Sequence, residues 1–187
     1  VEQRAEPGFE EPLYAGALTL RRQKFGDDHP DVAISLDNLA RVHFARGDFS
    51  AAEEMFREAL ALRRTLFGDT HPEISQSLNN LASTLFKQGQ LADAERTFRQ
   101  VVDIDRELLG EVHPEFGYSL NNLAFVLQAQ GKHAQAERVY REAHAVFESA
   151  FEPGHWMLGT SRSDLRQCLV QLGRYPEARQ ELQEGHA

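Results

Sequence analysis

Several things are scarce in this sequence of 187 residues, and each scarcity excludes a class of protein. Cysteine occurs once, at Cys168, so no internal disulfide can form and no disulfide framework points to secretion. The default compartment is therefore the reducing cytoplasm. No run of apolar residues approaches the length a membrane span needs, and residues 1–11 have neither the basic start nor the apolar stretch of a signal peptide. Charge of one sign never gathers into a block, although the net charge is −9. An acidic chain of this kind argues against nucleic acid and anionic membranes as partners. Motifs of catalysis are missing too: no glycine-rich phosphate loop, no Gly-x-Ser-x-Gly elbow and no His-Glu-x-x-His. A start methionine is also absent, since the chain begins at Val1, and the expectation is an excerpt of a longer protein.

What the sequence does have is a repeat. Phe25-Gly26-Asp27-Asp28-His29-Pro30 returns 42 residues later as Phe67-Gly68-Asp69-Thr70-His71-Pro72, then as Leu109-Gly110-Glu111-Val112-His113-Pro114, and in weaker form from Phe151 to Trp156. The same step carries Asn38-Leu39-Ala40 to Asn80-Leu81-Ala82 and Asn122-Leu123-Ala124. It also relates Gly47, Gly89, Gly131 and Gly173, and the alanines Ala52, Ala94, Ala136 and Ala178. Each alanine is followed four residues on by a large residue: Phe56, Phe98, Tyr140 and Leu182. Independent positions sharing one period define a repeat architecture.

Each unit reads as two helices. Proline suits a first helical turn, where its missing N–H would have had no partner, so His-Pro marks the start of helix A. Leu36, Leu39, Ala40 and His43 then line one face, and Gly47 ends the helix. Ala52, Phe56, Ala59, Leu62 and Leu66 give helix B its stripe, closed by Gly68. Small alanines opposite large rings let two helices approach closely. The expected divisions are an incomplete repeat over 1–29 holding helix B alone, full repeats over 30–71, 72–113 and 114–154, and a divergent capping repeat over 155–187, all in one solenoid domain. Arg162 stands where Leu36, Leu78 and Leu120 predict leucine, as a solvent-facing terminal repeat should show.

The order Asn-Leu-Ala, glycine, alanine, large aromatic, alanine resembles the tetratricopeptide signature, and the 42-residue step with Gly-Asp-x-His-Pro is similar to the longer repeat of kinesin light chains. The likeness runs from about Tyr14 to Leu182. It departs from the shorter form where Arg64 and Arg106 replace the proline that would end helix B, which predicts a longer helix. The resemblance implies an all-α, right-handed superhelical solenoid of antiparallel helix pairs whose A helices line a concave groove for peptides. It places Ile34, Asp37, Arg41, Phe44 and Ala45 in that groove from the first full pair. From the second come Gln76, Asn79, Ser83, Phe86 and Lys87, and from the third Tyr118, Asn121, Phe125, Gln128 and Ala129.

Chemistry sorts these positions. Asn79 and Asn121, one repeat apart, carry both donor and acceptor and suit the main chain of a bound peptide. Phe86, Tyr118 and Phe125 suit its apolar side chains. Asn38, Asn80 and Asn122 are assigned to the scaffold, and Glu53 and Glu54 to a solvated helix face. Arg41 and Lys87 alone do not make the clamp that holds a terminal carboxylate. Metal binding is not expected at His29, His71, His113 and His155: ligands must lie within about 2 Å of one ion, whereas stacked helices lie about 10 Å apart. They read as helix starts. Cys168, between Leu165, Leu169 and Val170, reads as a packed thiol and not as a nucleophile.

The sequence thus predicts a non-enzymatic module, without cofactor, that binds a protein or peptide segment. Two other functions stay open. One is self-association through the terminal repeats, Tyr14 lacking its own helix A; the other is a regulatory or sensor arm of a larger enzyme such as a bacterial signalling kinase, with an intramolecular partner domain.

Overall fold

The computed structural model describes residues 10–184, with side chains through residue 181, so the outer ends of the 1–29 and 155–187 segments and the Leu182 side chain lie outside the described residues. The described residues form helices without strands, in two compact units, residues 1–90 and 91–187. The first holds α1 (Glu10–Phe25), α2 (Pro30–Arg46), α3 (Phe49–Phe67) and α4 (Pro72–Lys87). The second holds α5 (Leu91–Leu109), α6 (Pro114–Ala129), α7 (His133–Ala150), α8 (Trp156–Gln171) and α9 (Tyr175–Glu184).

The starts of α2, α4, α6 and α8 follow one rule. His29, His71, His113 and His155 are N-caps, each accepting on Nδ1 the backbone N–H two residues on: Asp31 at 3.2 Å, Glu73 at 3.1 Å, Glu115 at 3.2 Å and Met157 at 3.3 Å. An unpaired N–H of the first turn is thereby satisfied. Three of these rings also stack on a phenylalanine from the preceding helix end: Phe25–His29 at 4.4 Å, Phe67–His71 at 4.5 Å and Phe151–His155 at 4.0 Å between centroids. The motif is a hinge in which one ring closes helix B and the next opens helix A. At the other end of α2, Gly47 takes φ 82°, a left-handed conformation that would strain a side chain. The expected lengthening of helix B is present, with α3 and α5 each 19 residues long.

In the first unit, the link Gly47-Asp48 folds α3 back on α2, and α1 and α4 pack on the pair. Ala40, Ala52 and Ala59 have no exposure and Phe56 keeps 2%, the small-against-large packing that allows close helices. In the second unit α6 and α7 are the corresponding pair, around Ala124, Ala136, Tyr140, Ala143 and Phe147. Gly117 is required there, because a Cβ on it would stand 2.6 Å from Cε1 of Phe147.

Polar contacts tie each pair to the next helix. Gln88 donates to the carbonyl oxygen of Phe49 at 2.9 Å and to Glu53 at 2.7 Å. Gln130 donates to Leu91 O at 2.8 Å and Glu95 at 2.9 Å. Arg46 pairs with Glu11, and Arg174 with Glu137 at 2.6 Å. Glu53 is therefore not on a solvated face: it is 8% exposed, held by Gln88 and Arg57. Arg162 also differs from expectation. It turns back onto α7, bonding His144 Nε2 and Glu148 Oε1 at 3.2 Å each, because those partners neutralise a guanidinium where leucine would have packed.

Candidate functional site

In the first unit a cleft of about 310 Å³ opens between α2, α3 and α4. Arg41 and Phe44 of α2, Phe56 of α3, and Asn80 and Ser83 of α4 line it. The buried Phe56 ring makes an apolar floor. Phe44 stands edge-on to Phe49, with centroids 5.4 Å apart. The exposed Arg41 supplies charge at the rim, and Ser83 Oγ, which donates to Asn79 O at 2.8 Å, keeps its lone pairs for a visitor's donor. The structure thus brings Arg41, Phe44 and Ser83 together. Asn79 and Phe86, both half-buried, and the exposed Lys87 lie on α4 outside that lining. Asn80, assigned to the scaffold from sequence, lines the cleft instead. The signal was present: Arg41–Phe44 and Asn80–Ser83 share a three-residue spacing, and Ser83 is Arg41 moved by one repeat.

Asp37 is held by Arg63 of α3. Its Oδ2 meets Arg63 Nη1 at 2.5 Å, and the buried guanidinium also reaches Ser77 Oγ at 2.6 Å and Glu73 Oε2 at 3.1 Å. Burial pushes the Asp37 carboxyl above the usual range, against the pull of Arg63. Its Oδ1 is buried without a hydrogen-bond partner.

In the second unit, α6 and α8 face each other through two polar rungs. Asn121 Nδ2 donates to Asp164 Oδ2 at 3.2 Å. Two turns on, Gln128 Nε2 donates to Gln171 Oε1 at 2.8 Å, while Tyr140 OH donates to Gln128 Oε1 at 2.9 Å. Phe125 lies between the rungs on α6 and is 54% exposed. Tyr118 is half-buried against Phe147, centroids 5.2 Å apart. Asp164 and Gln171 were not singled out from the sequence; the signal is their shared separation of 43 residues from Asn121 and Gln128. Burial raises the Asp164 carboxyl, opposed by the Asn121 hydrogen bond. Burial, then the charge of Asp164, raises the Tyr140 phenol.

Cys168 is buried and donates Sγ–H to His133 O at 3.3 Å; burial and Glu137 raise its thiol, against Arg141. A thiol held protonated is a poor nucleophile. Among the described residues, no group of three or more histidine, cysteine, aspartate or glutamate side chains is placed to hold a metal ion. No helix among them is long and apolar enough to cross a membrane.

The sequence profile of the tetratricopeptide repeat matches residues 11–65, 52–107 and 116–187. No curated protein matches the chain. Among solved structures, a kinesin-light-chain-like protein of Podosopora anserina with nearly identical TPR-like repeats is similar at a TM-score of 0.84 and 24% identity, over 94% of this chain and 83% of that one. BtubC (BKLC) from P. vanneervenii is similar at a TM-score of 0.84 and 20% identity, over 94% and 70%. The apo form of RapI is similar at 0.79 and 15%, over 94% and 46%. At such identities the likeness concerns the fold, while the profile covers most of the chain. With helix pairs stepping by 42 residues and the profile matched along nearly their whole length, the chain belongs to the tetratricopeptide repeat family.

Proposed function

We propose that this chain is a protein-interaction module that takes up a peptide segment or a partner helix on faces presented by its A helices, α2 and α4 in the first unit and α6 and α8 in the second. The cleft of the first unit carries the reading. An apolar floor of Phe56 and Phe44 accepts one side chain of the visitor, while Arg41, Asn80 and Ser83 around it supply donors and acceptors for the adjoining main chain. Asn79, Phe86 and Lys87 extend the proposed contact surface in the first unit, and Tyr118, Asn121, Phe125 and Gln128 of α6 form the proposed surface of the second. The test is affinity capture from source-cell lysate with the intact chain and an Arg41→Glu, Phe44→Ala variant of matched stability. A protein held by the intact chain and at least tenfold depleted on the variant supports the reading. Equal retention on both removes the cleft from it.

Self-association has its own observation. On α1, Leu13 and Leu20 are 71% and 66% exposed, a surface that another copy could cover. Sedimentation over a hundredfold concentration range separates the two readings: a monomer throughout eliminates self-association.

A further inference from the structure

Four of the half-buried and buried carboxylates, Asp37, Glu53, Glu95 and Glu137, face a cation: Arg63, Arg57, Arg99 with Lys132, and Arg141 with Arg174, and the buried Asp105 accepts from the Ser119 hydroxyl. Asp164 has no such cation. Among the described residues no lysine or arginine lies within ion-pair distance of it, and its hydrogen bond is the one from Asn121. A half-buried carboxylate given no counter-ion is held at a cost that a cation would relieve. The position is also singular in sequence, because the 42-residue step places Asn38, Asn80 and Asn122 where Asp164 stands. One repeat therefore puts a negative charge on an A helix where the others put a neutral amide.

The surroundings narrow the choice of ligand. Asn121 occupies Oδ2 of Asp164 and leaves Oδ1 without a hydrogen-bond partner among the described residues. Phe125, one turn beyond Asn121 on α6, presents a ring that is 54% exposed. The Gln128–Gln171 rung closes the stripe one turn later. A carboxylate followed by a half-exposed ring matches a long side chain with a cationic head and an apolar or planar body. The net charge of −9 favours the approach of such a ligand.

We propose that the α6–α8 face holds a subsite for a basic side chain, an arginine or lysine of a bound peptide, whose cation pairs with Asp164 and whose body lies on Phe125. This rests on the reading of the A-helix face as the ligand surface, and it adds the charge and position of one residue of the ligand.

The experiment is selection of random dodecapeptides displayed on phage against the intact chain and against Asp164→Asn. That substitution keeps an acceptor for Asn121 and installs the residue found at the three equivalent positions, so the fold is retained; thermal unfolding of both proteins checks this. The expected result is a set of binders sharing one arginine or lysine. The best of them, synthesised, binds Asp164→Asn at least tenfold more weakly, and binds the intact chain at least tenfold more weakly when citrulline or glutamine replaces the basic residue. Binders without such a residue, or indifferent to Asp164→Asn, overturn the inference and leave peptide binding standing, more so if Arg41→Glu abolishes them. Failure to select any binder overturns both. A dimer that Asp164→Asn converts to a monomer overturns the inference by making a second copy the occupant.

Discussion

Gln88 Nε2 lies 2.9 Å from the carbonyl oxygen of Phe49, so the side chain that closes α4 grips the first residue of α3. The same amide reaches Glu53, and 42 residues later Gln130 repeats both bonds onto Leu91 and Glu95. A glutamine at a helix end here joins one repeat to the helix before it, independently of the hydrophobic face.

Removing these grips should cost unequally. Gln88→Ala leaves the buried Glu53 with Arg57 as its remaining partner, and a loss of about 1–3 kcal/mol is expected. Gln130→Ala should cost less, since Lys132 and Arg99 still hold Glu95. Urea midpoints at unchanged m-value measure both, and the reverse order would contradict the account.

Acid should weaken the second unit through Glu95. Burial works against its ionisation, but hydrogen bonds from Lys132, Arg99 and Gln130 overcome this and bring its pKa from 4.5 to about 2. A depressed folded pKa contributes stability that is present above the unfolded value and lost as pH falls through the folded one. The loss should fall between about pH 4.5 and pH 2. Glu95→Gln should flatten that part of the stability profile, measured by urea unfolding at steps of pH.

Gly117→Ala should destabilise the α6–α7 pair by about 1–3 kcal/mol, as overpacking does. The new Cβ would overlap the ring of Phe147, which is fully buried and has no space to swing into. Adding Phe147→Leu should recover part of the thermal midpoint. If the single variant melts with the parent protein, the close approach is wrong.

His71→Ala should lose about 1 kcal/mol from the missing cap, together with the stack on Phe67. His71→Asn should restore the cap but not the stack, and so recover only part of the denaturant midpoint.

The starts of α2, α4, α6 and α8 were legible in the sequence because their causes are local. His-Pro opens a helix through a bond to the N–H two residues on, and Gly47 closes one through its own φ. The candidate site was less legible. Arg41, Phe44 and Ser83 line the cleft together with Asn80, while its neighbour Asn79 does not. Adjacent residues on a helix point about 100° apart, and which of the two faces a cleft depends on how the helix is rotated against its neighbours.

By itself the sequence determined an all-helical repeat of 42 residues, its caps and the alanine–aromatic packing of each pair, because these follow from helical periodicity and from chemistry within a few residues. Tertiary structure decided that Glu53 is buried, that Asp37 turns to Arg63, and that Asp164 meets Asn121 with no cation beside it. Those outcomes join residues 26 to 43 positions apart, and the angle and offset of packed helices set them, which no local pattern encodes.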